Sequence, residues 1–164
     1  MNQKVMELNA AEQAWLRDNA ALARIVAEEA GCSLPESDRA IDPGTLDTAW
    51  ANWMNHHDPS GDDDGNIYIN AFGVAFGSYL VERLGLVWRV VEDEHGTEMA
   101  VWAREGDVLI FPPNLVAKRY VSRELRFFAA VAAATEQQVA NIRASVAGSP
   151  QKQSQLGKWF KRSG

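Results

Sequence analysis

From Asn66 to Leu84 the chain is apolar nearly all round a helical wheel. Ile67, Ile69, Ala71, Phe72, Val74, Ala75, Phe76, Tyr79, Leu80 and Leu84 leave only Ser78, Glu82 and Arg83 as polar positions near one end. A surface helix has one apolar stripe, whereas a helix without a polar face must be covered on several sides. This segment is therefore expected at the centre of the fold. Gly73 and Gly77 stand four apart on one face, where the absence of side chains lets another backbone come close. Gly85 marks the stop. The hydrophobic period then changes to two. Leu86 to Glu92 and Thr97 to Ala103 read as strands joined by the turn Asp93-Glu94-His95-Gly96, with glycine where a positive φ is needed. Asp107 to Phe111 reads as a third short strand, and Pro112-Pro113 ends the sheet pattern.

The flanks are helical. Residues 9 to 31 begin with Asn9 as N-cap and Glu12 three residues on, a capping box. Trp15, Leu16, Leu22, Ile25 and Val26 supply its apolar stripe, and Gly31 ends it. A second helix starts at Asp42-Pro43, carries Leu46, Ala49, Trp50, Trp53 and Met54 on one face, and stops near His57-Asp58-Pro59. Residues 122 to 146 read as a C-terminal helix with Ser122 as N-cap and Leu125, Phe128, Val131, Ala132, Val139 and Ile142 inward. The expected fold is α+β, a three-stranded antiparallel meander packed with three to four helices. Residues 1–147 form one globular domain, and 148–164 a basic, flexible tail. A chain of 164 residues can bury a full core without staples.

Charge narrows the partners. All 22 acidic residues precede Gly148, with 12 Lys and Arg among them, so the body carries about −10. The tail has Lys152, Lys158, Lys161 and Arg162 and no acid. An acidic body repels nucleic-acid phosphates and suits a basic partner. Cys32 is the sole cysteine, which excludes an internal disulfide framework and a multi-cysteine zinc site. The start of the chain lacks the basic and apolar segments of a signal peptide, and no apolar run reaches the length of a membrane span. A bacterial-type cytoplasm is the expected location.

Several landmarks recur in an order that resembles a known family. They are the run INAFGVAFGSYL (Ile69–Leu80), then Trp88, Asp93-Glu94-His95-Gly96-Thr97-Glu98, Phe111-Pro112 and Val116-Ala117-Lys118-Arg119. The pattern is similar to an uncharacterised bacterial family known only as a domain of unknown function, and covers roughly residues 45 to 130. The resemblance implies a shared fold. It brings no activity, cofactor or catalytic residue with it.

The residues themselves commit to no reaction. Ser60-x-Asp62-x-Asp64-Gly65 has the oxygen spacing of the first half of a calcium loop, but Ala71 stands where the closing Glu belongs. Asp62, Asp63 and Asp64 therefore read as a solvated acidic loop, its last Asp helping to cap the central helix, and as a contact for a basic partner. His56 and His57 are adjacent, not at the i, i+4 spacing of a zinc pair, and read with His95 as ordinary surface histidines. Cys32 follows a helix end, where no dipole activates it. Ser78 lies within a helix rather than at a strand-to-helix elbow. No catalytic residue, metal or cofactor is assigned.

The binding candidates are aromatic and basic. Trp50 and Trp53 share a helix face, as core or as the rim of a groove. Trp88 and Trp102 on neighbouring strands could form a cross-strand pair. Lys118-Arg119 stands out in an acidic body, either as a contact or in an internal ion pair with Asp107, Glu98 or Glu92. Trp159 and Phe160 among tail cations could touch an anionic membrane, RNA or a partner groove, or dock back on the body.

The reading is a small bacterial protein-binding domain, of immunity or adaptor type, with an acidic surface for a basic partner. The alternatives are an enzyme with an unrecognised hydrolytic or metal-assisted site, and a peripheral membrane or RNA binder acting weakly through the tail. DNA is excluded as a partner: each phosphate contact needs a cation to displace counterions. Residues 1–147 are expected to leave the anisotropy of a labelled DNA duplex unchanged at physiological salt. Tight, sequence-selective binding by this body would overturn the protein-partner reading.

Overall fold

The computed structural model describes residues 3–61 and 64–148. The elements are β1 (Lys4–Met6), α1 (Ala10–Glu29), α2 (Pro43–His56), α3 (Gly65–Leu84), β2 (Val87–Asp93), β3 (Gly96–Ala103), β4 (Val108–Ile110), α4 (Pro112–Val121) and α5 (Phe128–Gly148). The strands form one antiparallel sheet in the order β1-β2-β3-β4. The fold is α+β as expected, with four strands instead of three and five α-helices among the described residues. The added strand, β1, pairs Val5 with Val91 and is three residues long, too short to show a period in sequence. The second departure is α4. Pro112-Pro113 does end the sheet, but it also occupies the first turn of a helix, where a missing N–H costs nothing.

The helix starts follow local chemistry. In α1, the Asn9 side chain accepts from the Glu12 N–H at 2.8 Å and the Glu12 carboxylate accepts from the Asn9 N–H at 2.8 Å. In α2, Asp42 accepts from the Thr45 N–H at 3.0 Å, with Pro43 in the first turn. Burial pushes the Asp42 carboxyl up, but the Thr45 hydroxyl and backbone bonds outweigh it and leave its pKa lowered. Asp64 stands at the N-cap of α3 and makes no side-chain cap bond, contrary to expectation. Gly85 ends α3 in the left-handed region at φ 68°.

The start of α5 departs most from the sequence reading. Ser122 ends α4 instead of opening α5, and Arg123 turns the chain at φ 59°. Leu125, expected inward, is exposed. α5 begins at Phe128, and its cap is supplied by α2. The buried Asp47 carboxylate accepts from the N–H groups of Phe127 at 2.8 Å, Phe128 at 2.7 Å and Ala129 at 3.1 Å. Those first-turn donors have no partner within their own helix. A carboxylate placed there also meets the positive end of the helix dipole.

α3 lies at the centre, packed against α1, α2, α4 and α5. Ile69, Phe72, Val74, Phe76 and Leu80 are buried, while Ile67 at its start and Ile25 on α1 are exposed. The glycine face is in close contact. A Cβ on Gly73 would lie 2.6 Å from the Pro113 Cα, and one on Gly77 would lie 2.3 Å from the Trp88 ring. Residues directly opposite on neighbouring strands share a face of the sheet. Trp88 pairs with Val101 and Trp102 with Val87, so the two indoles lie on opposite faces and form no cross-strand pair. Trp88 packs on the helices, whereas Trp102 joins Val5, Val91, Ala100, Leu109 and Phe111 on the far face.

Gly73→Ala sets two effects against each other. Alanine raises helix propensity by about 1 kcal/mol, whereas overpacking costs about 1–3 kcal/mol. The atoms in the way are Pro113 backbone, which no rotamer change can move. We expect a net loss, read as a lower urea midpoint at unchanged slope. A midpoint that stays or rises would mean that α3 and α4 separate at no cost.

Candidate functional site

Three helix ends meet at one place on the surface. Trp53 lies in the last turn of α2 and is half-buried. His57 follows the helix in extended conformation, and its ring stacks on Trp53 at 4.4 Å between centroids and 21° between planes. From the first turn of α3, Tyr68 comes to 4.8 Å from Trp53. From the last turn of α4, Tyr120 lies 6.1 Å from Trp53, with its hydroxyl 3.5 Å from His57 Nε2. The left-handed turn at Arg123 brings its guanidinium 5.7 Å from the Tyr120 ring centroid. All four rings of this cluster are half-buried, presenting part of each to solvent.

Acidic groups flank the rings in sequence. Asp58 follows His57, is exposed, and accepts from the Ser60 hydroxyl at 2.7 Å and the Ser60 N–H at 2.9 Å. The hydroxyl bond leads in holding the Asp58 carboxyl below its ordinary range. Asp64 is exposed one helical turn before Tyr68. Aromatic faces beside carboxylates attract cationic and apolar groups together.

Of the residues the sequence singles out, Trp53 belongs to this cluster. Trp50 lies beneath it, 5.2 Å from the Trp53 ring and 6.4 Å from Tyr120, but it is 0% exposed, edge-on to Phe72, Phe127 and Phe128, and its Nε1–H donates to the Glu124 carbonyl at 2.8 Å. Helical spacing put both tryptophans on one face, but the arrival of Phe127 and Phe128 closes over Trp50 alone. Lys118 is exposed. Arg119 pairs with Glu124 at 3.3 Å and lies 5.8 Å from the Phe127 ring, not with Asp107, Glu98 or Glu92. Asp62, Asp63, Trp159 and Phe160 lie outside the described residues. Tyr68 and Tyr120 are not singled out by the sequence, and His57 is read there as an ordinary surface histidine. The i, i+4 spacing of Trp53 and His57 is the one signal that could have linked them.

The other candidate chemistry is dispersed. Burial first, then the neighbouring Asp42, raise the Cys32 thiol above its ordinary pKa, which disfavours the nucleophilic thiolate. Among the described residues, no group of three or more His, Cys, Asp and Glu is placed to hold a metal ion. No helix among them is long and apolar enough to cross a membrane.

Two larger depressions stand out among the described residues. One, of about 460 Å³, lies between α1, the loop before α2, α3 and Trp88. Its cations are already engaged: Arg24 donates to the Pro35 carbonyl, and Arg39 pairs with Glu82 at 2.9 Å. Glu82 also accepts from the Ala40 N–H at 2.7 Å, so this depression is the clamp of a loop. The other, of about 390 Å³, is lined by Asn66 and Asn70 of α3, Asn114 of α4, Thr97 and Glu98 of β3, and Trp15 of α1.

This geometry defines an α+β protein with an antiparallel sheet, a central helix and an aromatic cluster where three helices end. Residues 47–126 match the family model described as Domain of unknown function (DUF3806). The match falls within the stretch that the resemblance covers. No curated protein and no solved structure matches the chain.

Proposed function

We propose that this is a protein-binding domain of the bacterial cytoplasm, of adaptor or immunity type, which takes a basic partner on its aromatic cluster. The observation that supports this reading is the half-buried cluster of Trp53, His57, Tyr68 and Tyr120, with exposed carboxylates next in sequence to it at Asp58 and Asp64. Part-exposed aromatic rings in a fixed arrangement have the composition of binding hot spots, because large rigid rings lose little conformational freedom on contact. The body charge of about −10 adds long-range attraction for a cationic protein.

The reading is tested by affinity capture from the source cells with full-length protein, Trp53→Ala, and a chain ending at residue 148. A basic protein retained by the full and shortened chains should fall by about tenfold or more with Trp53→Ala, provided circular dichroism shows the variant folded. Capture that ignores Trp53→Ala and is lost on removing the tail would overturn this reading in favour of attachment through Trp159 and Phe160.

A further inference from the structure

Asn66, Asn70 and Asn114 converge on one depression, and the fold makes no use of their side chains. Among the described residues, none of the three carboxamides takes part in a hydrogen bond. The close approach of Gly73 to Pro113 brings Asn114 alongside the α3 pair. A carboxamide both donates and accepts, matching the C=O and N–H of a peptide group. Spacing adds a second match. Residues four apart on a helix are separated by about 6 Å along its axis, and alternate residues of an extended chain by about 6.6–6.8 Å. Asn66 and Asn70 can therefore engage alternate peptide groups of an extended segment lying along α3.

The remaining walls select the side chains of that segment. The depression adjoins a shallower one of about 170 Å³ that shares Trp15, Thr97, Glu98 and Met99 and reaches Glu12, so the two form one trough. The half-buried Trp15 offers a surface for the aliphatic stem and charge of a lysine or arginine. Glu12, one helical turn before Trp15, brings negative charge to the trough, and no Lys or Arg lines either part of it among the described residues. Phosphate and carboxylate ligands would find carboxamide donors there but no cation to balance their charge.

We propose that this trough binds an extended, basic stretch of a partner protein, with Asn66, Asn70 and Asn114 holding its backbone and Trp15 and Glu12 receiving a cationic side chain. The assignment rests on the protein-binding reading above and adds to it the conformation and chemistry of the bound segment.

The test is fluorescence anisotropy of a labelled Ala-Lys-Ala-Lys-Ala-Lys peptide with the full chain. We expect binding that weakens about fivefold when alternate peptide groups are N-methylated, a change that leaves the protein untouched. Asn70→Ala and Asn114→Ala should each produce a similar loss at unchanged melting temperature, and a Glu-for-Lys peptide should not bind. Loss of peptide binding while partner capture still depends on Trp53 would sink the trough and leave the aromatic cluster standing, so the two readings fail separately. No binding up to about 1 mM peptide, an affinity typical of the weakest specific contacts, would overturn the proposal. So would binding indifferent to both N-methylation and Asn70→Ala, which would be attachment by charge alone. Saturation-transfer NMR with glucose is the further arm: a neutral sugar that binds and competes with the peptide through Asn70 would reassign the trough to carbohydrate.

Discussion

The contact between the glycine face of α3 and the start of α4 positions everything on this surface. With Pro113 backbone against Gly73, α4 is forced to lie directly alongside the central helix. That places Tyr120, at one end of α4, near Tyr68 and Trp53, and Asn114, at the other end, near Asn66 and Asn70. The prolines make this approach tolerable. A helix start buried against another helix leaves first-turn N–H groups without partners. Pro112 and Pro113 have none to leave. The residue type that ends a strand is thus also the one that lets a helix begin in a crowded place.

That double role explains what sequence reading could and could not see. The central helix was legible because its apolar positions occur on all sides, and the hairpin because its alternation is long and its turn holds Gly96. α1 and α2 were legible because Asn9 and Asp42 cap locally. α4 was hidden: prolines read as a break unless the chain after them is known to pack. β1 was hidden because three residues have no measurable period. The faces of Trp88 and Trp102 depended on a register that the turn fixes only to within one residue, and one residue reverses a face. Of the aromatic cluster, Trp53 was visible. Tyr68 and Tyr120 were not, since only the packing of three separate helices brings them together.

The family segment, residues 47–126, contains every ring of the aromatic cluster and the three asparagines of the trough. Trp15 and Glu12 lie on α1, outside it. The backbone-holding part of the proposed peptide site therefore lies in the matched segment, and one wall of it is added by a helix beyond. The same holds for the core, in which Phe127 and Phe128 close over Trp50 from just past the end of the matched segment. The domain and its flanking helices share one set of buried side chains.

Asp47 and the start of α5 stand 80 positions apart, and the carboxylate of one completes the first turn of the other. In a growing chain, Asp47 is made long before Phe127 exists, so its charge must stay in water until the last helix arrives. Closing a loop of that length is slow compared with forming a helix locally. Folding of the C-terminal helix is thereby made conditional on the earlier part already being in place. A nascent or misfolded N-terminal half cannot acquire this cover, and leaves Trp50 and its neighbours open to chaperones or proteases.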